Sequence, residues 1–128
     1  MLPTGVFPGD STQVFVADSD QARVFLYDST GTMIRAFGKK NELSRPVGVA
    51  FDKTNKNLFV ADSEKHLIVM FNALTGEHIK DIGIRGEANG EFNFPTNLFI
   101  RDKRLYITDT GNFRMQALDL DGKYLFSF

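Results

Sequence analysis

The stretch that decides the fold is residues 46–83, PVGVAFDKTNKNLFVADSEKHLIVMFNALTGEHIKDIG. Short apolar runs such as LFVAD and LIVMF alternate in it with polar turns, and no run has the spacing of about 3.6 residues that marks an amphipathic helix. Two further stretches repeat it: residues 13–38 read QVFVADSDQARVFLYDSTGTMIRAFG, and residues 104–128 read RLYITDTGNFRMQALDLDGKYLFSF. The three stretches align almost without gaps, so the chain is built from a repeated unit.

Two sets of residues fix the period of this repeat. The aspartates that end the first apolar run of each stretch lie 44 and 47 residues apart, and the glycines that follow the second run lie 45 and 46 residues apart. These residues are Asp18, Asp62 and Asp109, and Gly31, Gly76 and Gly122. Two independent anchors therefore agree on a period of about 45 residues, which indicates a repeat architecture.

Each unit is predicted to form four short antiparallel strands. In the middle unit, aromatic and β-branched residues at 59–61 precede Asp62, and a second apolar run follows at 68–71. A third run follows Gly76, in which apolar and polar residues alternate. A fourth run, at 46–51, begins with a proline, whose missing N–H is tolerated because the first residue of a strand lies outside the hydrogen-bond ladder. A β-sandwich would also have short strands, but it would not repeat residue by residue. A four-stranded sheet repeated at this length is typical of a propeller blade.

Composition limits the class of protein. The chain has 128 residues, of which 42% are hydrophobic and 24% charged, as expected for one globular domain. Its formal charge of -1 gives no broad basic surface, so neither nucleic acid nor an anionic membrane is an expected partner. The absence of cysteine excludes disulfides and thiol nucleophiles but leaves the compartment open. No signal peptide or membrane span is visible, which predicts a soluble chain of unassigned localisation.

The repeated unit resembles the NHL repeat, a family of six-bladed propellers named for Asn, His and Leu in the turn after the second strand. The residues at these positions are Lys65, His66 and Leu67 in the middle unit, Asn112, Phe113 and Arg114 in the third, and Gln21, Ala22 and Arg23 in the first. The linker GIRGEANGEFNFP, residues 83–95, is similar to the connection between blades of that family. The resemblance covers essentially the whole chain and implies an all-β fold.

The predicted fold is therefore half of an NHL-type β-propeller, with three four-stranded blades at about 1–44, 45–90 and 91–128. Each blade of a propeller packs its faces on its neighbours, so three blades alone leave two apolar faces in water. We expect two copies to pair as a 3+3 homodimer that closes a six-bladed ring. A fragment of a longer chain and an engineered half propeller are the alternatives.

The repeated aspartates and glycines are predicted to be structural. An active site needs different groups that converge on one point, whereas a device for closing a turn recurs in every unit. An aspartate at a strand end accepts N–H bonds from its own turn, and a turn glycine allows positive φ. Most of the phenylalanines are expected in the core. Phe92, Phe94 and Phe113 lie in a linker or turn and are predicted to shape a binding surface instead.

The candidate ligand-binding residues lie in the turns after the second strands and in the linkers: Gln21, Arg23, Arg45, Lys65, His66, Arg85, Asn112, Phe113 and Arg114. The two histidines, His66 and His78, lack the spacing of a metal site, and we expect no metal, no cofactor and no catalytic residue. The leading functional hypothesis is a non-enzymatic scaffold that binds a protein, a peptide or another ligand on the turn face or in the central channel. The resemblance leaves two alternatives, a hydrolase or lyase with its site at the ring axis and a reader of single-stranded RNA.

Overall fold

The computed structural model describes all residues 1–128 and contains twelve strands in three sheets. The first sheet consists of β1 (Pro3–Pro8), β2 (Val14–Asp18), β3 (Arg23–Tyr27) and β4 (Met33–Phe37). The second consists of β5 (Pro46–Asp52), β6 (Asn57–Asp62), β7 (Leu67–Asn72) and β8 (His78–Ile82). The third consists of β9 (Pro95–Arg101), β10 (Arg104–Asp109), β11 (Arg114–Asp119) and β12 (Tyr124–Ser127).

Every sheet is antiparallel, and its four strands pair in chain order. The equivalent registers in the three sheets pair Val6 with Val16, Val49 with Val60, and Leu98 with Ile107. The predicted four-stranded antiparallel units are thus confirmed. The one helical element is a 3-10 turn at Thr110–Asn112. Its three residues are far too few for a membrane-spanning helix.

Two hydrophobic cores lie between consecutive sheets. The first joins Phe15, Val24 and Phe37 of the first sheet to residues of the second such as Val60 and Phe71. The second core joins the opposite side of the second sheet to the third and contains Phe59, Ile68, Ile82, Leu105, Ile107 and Leu118. Side chains alternate between the two faces of a strand, so the middle sheet is covered on both sides.

The inner strands of the second and third sheets touch through their backbones at Gly48. A Cβ atom built on this β5 residue would collide with the carbonyl oxygen of Thr96 in β9. The two strands can approach this closely only because residue 48 has no side chain. Gly48 therefore sets the spacing between the second and third blades at their inner edges.

The turns between the third and fourth strands use the predicted glycines. Gly31 and Gly76 have φ of 81°, and Gly122 has φ of 93°, all in the left-handed region that suits glycine. In the first of these turns Asp28 accepts bonds from the Thr30 hydroxyl and from the backbone N–H groups of Thr32 and Thr30, which lower its pKa.

The register places different loops at the two ends of the sheets. One end carries the linkers 38–45 and 83–94 and the turns that follow β2, β6 and β10, and we call it the linker end. The other carries the turns between the first and second strands and between the third and fourth strands of each sheet, and we call it the hairpin end.

Gly48→Ala tests the close approach of the inner strands. We expect it to cost about 1–3 kcal/mol of unfolding free energy, because the added methyl group meets backbone, which cannot rotate away. Urea denaturation at one protein concentration measures the loss. Gly5→Ala is the matched control, since Gly5 has the equivalent register in the first sheet but an added Cβ there meets the ring of Phe7. An equal cost for both variants would contradict the role assigned to Gly48.

Candidate functional site

The nine predicted ligand-binding residues all lie at the linker end. Five lie in the turns that follow the second strands, and Arg23 is the first residue of β3, directly after such a turn. The five turn residues are Gln21, Lys65, His66, Asn112 and Phe113. Arg114 begins β11, and Arg45 and Arg85 lie in the two linkers. The fold thus gathers on one surface residues that are spread over most of the sequence.

The repeated aspartates lie buried beneath these turns. Asp62 accepts backbone N–H bonds from Ser44 and Arg45 in the linker, and from Glu64 and Lys65 in its own turn. It therefore ties the linker to the turn.

Asp18 accepts backbone N–H bonds at 3.0–3.1 Å from Leu2, Asp20 and Gln21. Burial raises the pKa of Asp18, but these N–H groups outweigh burial and the pKa is lowered overall. The carboxylate is thus held in its charged form by the backbone around it.

Asp109 differs from the other two because side chains surround it. Its Oδ1 accepts the backbone N–H of Asn93 at 2.8 Å. Its Oδ2 accepts from Asn112 Nδ2 at 2.9 Å, from Arg114 Nε at 2.8 Å and from Gln116 Nε2 at 3.0 Å. This cluster is the densest polar network of the linker end, and its carboxylate is fully buried.

The same side chains hold the second linker. Asn112 Nδ2 donates to Gly86 O, Arg114 donates to the carbonyls of Ala88 and Glu91, and Gln116 also donates to Glu91 O. The shorter first linker is held by Asp62 and by Lys65, which donates to the carbonyls of Asn41 and Glu42. The donors of three predicted ligand-binding residues, Lys65, Asn112 and Arg114, are therefore engaged within the chain.

Gln116 was missed by the sequence reasoning, although it left a signal. It is the one amide in the apolar run MQAL, where the other units have Phe25 and Val69. A buried amide needs hydrogen-bond partners, so a polar residue in a strand that is otherwise apolar predicts a buried network.

His66 joins the second blade to the start of the third. Its Nδ1 accepts the backbone N–H of Phe94 at 3.0 Å, and the two rings meet edge to face with centroids 4.4 Å apart. Burial lowers the pKa of His66, and the Arg85 guanidinium lowers it further. The neutral ring is thus the form that fits this contact.

The expectation that Phe92 shapes a binding surface is wrong. Phe92 is 0% exposed and packs in the core between the second and third sheets. Leu43 has the same place in the first linker, three residues before the proline that opens the next blade, and is also buried. Each linker therefore inserts one apolar side chain between blades.

The remaining predicted ligand-binding residues have free side chains. Arg23, Arg45 and Arg85 make no side-chain hydrogen bond or ion pair, and Gln21 makes only a long bond of 3.5 Å to Asp18. Phe113 is 95% exposed and has φ of 54°, a conformation that bulky residues rarely adopt. Guanidinium groups and an exposed ring suit the recognition of carboxylates, carbonyls and apolar side chains.

Asp109→Ala tests the buried network. We expect a loss of about 3–5 kcal/mol, because Arg114 would keep its charge at a partly buried site without a counterion. Urea denaturation at fixed protein concentration measures this. The control is Asp20→Ala, which changes an exposed carboxylate of the corresponding turn in the first blade, and we expect less than about 1 kcal/mol for it. A loss at Asp109 as small as that of the control would contradict the network.

His66 predicts a pH dependence of stability. The pKa of the folded residue lies below the value of about 6.5 for an unfolded chain, so the unfolded chain takes up the proton first as pH falls. Stability should be fully present above pH of about 6.5 and decline as pH drops below it, until the folded residue is protonated too. His66→Asn keeps an acceptor and tolerates the left-handed φ of 58°, and it should flatten this part of a stability profile measured by urea. An unchanged profile would contradict the assignment.

The comparisons with known proteins agree with this architecture. The family model described as NHL repeat matches residues 43–71. NHL repeat-containing protein 2 of Gallus gallus is 33% identical over 99 residues, which is 69% of this chain but 14% of that protein. The chain thus spans about one seventh of the length of this relative.

Two solved structures share the fold. Hydrazine synthase of Kuenenia stuttgartiensis superposes with a TM-score of 0.79 at 16% identity. The superposition covers 98% of this chain and 35% of the hydrazine synthase chain. A chain of the nidogen/laminin complex superposes with a TM-score of 0.78 at 21% identity. This superposition covers 100% of the present chain and 47% of the nidogen/laminin chain. The two solved structures show the propeller fold alone, whereas the NHL repeat model and the relative from Gallus gallus show that the chain belongs to the NHL-repeat family.

Proposed function

We propose that the chain is a non-enzymatic propeller scaffold that pairs with a second copy and binds a protein or peptide partner at its linker end. One observation carries this proposal: at the positions compared below, the two uncovered faces of the outer blades carry the same kinds of residue as the two faces that are buried against each other between the first and second blades. We call them the trailing face, on the third blade, and the leading face, on the first blade.

The trailing face is aromatic. It carries Phe99 of β9, Tyr106 of β10 and the terminal residue Phe128. Phe99 is 58% exposed, and Tyr106 is partly buried beside Phe128. Phe128 is 69% exposed. The residues at the equivalent register in the first blade, which pack against the second blade, are Phe7, Phe15 and Phe37. The trailing face thus offers the same kind of aromatic surface that the first blade buries.

The leading face combines aliphatic residues with two aromatic residues of β3, Phe25 and Tyr27, whose ring centroids lie 6.4 Å apart. It carries Val6 of β1, Val16 of β2 and Tyr27 of β3, and Val6 is 66% exposed. The equivalent residues of the second blade, which receive the first blade, are Val49, Val60 and Phe71. The leading face therefore has the composition of a surface that already accepts an aromatic blade face within this chain.

Pairing the trailing face of one copy with the leading face of another would repeat the internal packing. Such a contact is heterologous, and two of them close a ring when each blade turns the chain by one sixth of a circle. Six is the blade number that the family resemblance implies. A closed pair leaves no apolar face in water, which supports two copies as the assembly.

The linker end supports a specific contact in this assembly. His66 packs on Phe94, the residue before the proline that opens the next blade. Phe113 has the same position in the third blade with nearly the same φ, and the residue before Pro3 is Leu2, which is exposed. Closure would bring Phe113 of one copy onto Leu2 of the other.

The ligand-binding part of the proposal rests on the free guanidinium groups. The side chains of Arg23, Arg45 and Arg85 donate no hydrogen bond within the chain. A ring of two copies would therefore present six such guanidinium groups at one end. Two buried carboxylates of the same end, Asp18 and Asp62, are occupied by backbone N–H groups. This distribution supports recognition of acidic or carbonyl-rich partners rather than acid–base catalysis.

Self-association can be tested by disulfide crosslinking, because the chain has no cysteine and an introduced pair can form disulfides only with each other or with the pair of a second copy. The double variant Leu2→Cys/Phe113→Cys should form, under mild oxidation, a covalent species of twice the chain mass of 14.4 kDa. Denaturing electrophoresis without reductant measures the bond, and light scattering measures the mass of the unmodified chain, which should also be twice 14.4 kDa.

Leu74→Cys/Phe113→Cys is the control, because Leu74 is equally exposed but lies at the hairpin end. It should remain mainly uncrosslinked. A monomer by light scattering with full β-sheet signal would overturn the self-association. A ladder of higher covalent species would show that the faces pair without closing a ring.

A further inference from the structure

The hairpin end holds two clefts of the same construction between neighbouring blades. The first, of about 390 Å³, lies between the first and second blades, and the second, of about 510 Å³, lies between the second and third. Each contains a lysine as the last residue of the turn before the second strand, Lys56 and Lys103, and both lysines have left-handed φ, of 58° and 61°. The clefts can therefore be compared position by position.

The first cleft is neutralised within the chain. Lys56 Nζ lies 2.8 Å from Asp10 Oδ2 of the preceding blade, and this hydrogen bond lowers the pKa of Asp10. Arg35, which also lines the cleft, donates to the carbonyl of Ala73. The positive groups of the first cleft thus have partners.

The second cleft is not neutralised. The turn that corresponds to Asp10 contains Lys53 and Thr54 and no acid, and Lys103 makes no ion pair. Asp52 lies in the cleft but its carboxylate is turned into its own loop, where it accepts from Thr54 N, Asn55 N and Asn55 Nδ2 at 2.8–3.2 Å.

The rim of the second cleft adds a further cation. Arg101 is exposed, and its one acidic neighbour is Asp102, whose carboxylate lies 3.9 Å from Arg101 Nε and is 86% exposed. An ion pair this open contributes little, because water screens both charges. Lys53 is also in an open ion pair, with its Nζ 3.8 Å from Asp10 Oδ1 and 73% of its side chain exposed. Lys103 makes no ion pair, so the three cations around the cleft, Lys53, Arg101 and Lys103, are unpaired or only weakly paired.

The floor of the second cleft is apolar. Phe51, Ile100 and Leu120 line it beneath the cationic rim. An apolar floor with a charged rim fits a side chain such as leucine or phenylalanine whose neighbours in sequence carry carboxylates.

We propose that this second cleft binds an acidic peptide segment, with one apolar side chain on the floor and flanking carboxylates on Lys53, Arg101 and Lys103. This is a second binding site, at the opposite end of the blades from the linker-end surface of the proposed function, and it does not depend on ring closure. Lys103 is the central contact, since its counterpart Lys56 makes the equivalent bond to a carboxylate inside the chain.

The probe is a short fluorescein-labelled peptide whose central leucine is flanked on each side by a pair of aspartates, followed by fluorescence anisotropy at low salt. The unmodified chain should bind it and should not bind the same peptide with asparagines in place of the aspartates. Lys103→Glu should weaken binding about tenfold or more. Thr54→Asp should do the same without removing a cation, because it supplies the acid that the second cleft lacks.

Lys40→Glu is the matched control, since it reverses an exposed charge in the first linker at the opposite end. It should leave binding unchanged, and thermal melting should show all variants folded. Equal binding of both peptides, no binding of the acidic one, or an equal effect of Lys40→Glu would overturn the inference. Loss of binding in Arg85→Glu but not in Lys103→Glu would place the peptide at the linker end, which would support the proposed function and overturn the hairpin-end site.

Discussion

A blade of this chain is a four-stranded sheet that is apolar on both faces, and such a sheet is stable only with a neighbour on each side. The middle blade meets this condition within the chain, and its three inner strands are almost continuously buried. Each outer blade has a neighbouring blade on one side only. The burial of sheet faces is thus the interaction that orders the core and also the source of the proposed self-association.

Hydrogen bonds at the linker end attach each linker to the turns of the blade that follows it. Each repeated aspartate accepts a backbone N–H from the chain that enters its blade, at Leu2, Arg45 or Asn93. Asp18 and Asp62 also accept backbone N–H groups of their own turns, whereas Asp109 accepts from the side chain of Asn112. The second linker is longer than the first, and the extra backbone is bound by Asn112, Arg114 and Gln116. The third unit departs from the repeat at these positions because it has more linker to hold.

The two ends of the blades differ in what they leave free. At the linker end the buried aspartates have hydrogen-bond partners and several arginine side chains have none. At the hairpin end an ion pair neutralises one cleft, and the next cleft lacks an equivalent pair. These differences arise at positions where the repeat is broken, such as Asp10 in one turn and Lys53 in another. In a repeat protein the conserved positions of the unit build the scaffold, and the positions that vary between units are where binding specificity can develop.

The sequence by itself determined the blades, their number and their strand order, because a period of about 45 residues with alternating apolar positions leaves few other folds. It also placed the nine candidate residues at one end, since strand order decides which turns lie together. Only the tertiary structure decided which of them are free: the partners of Lys65, His66 and Arg114 belong to linkers more than twenty residues away. The burial of Phe92 was missed for the same reason, because a linker has no periodicity from which burial between two blades can be inferred.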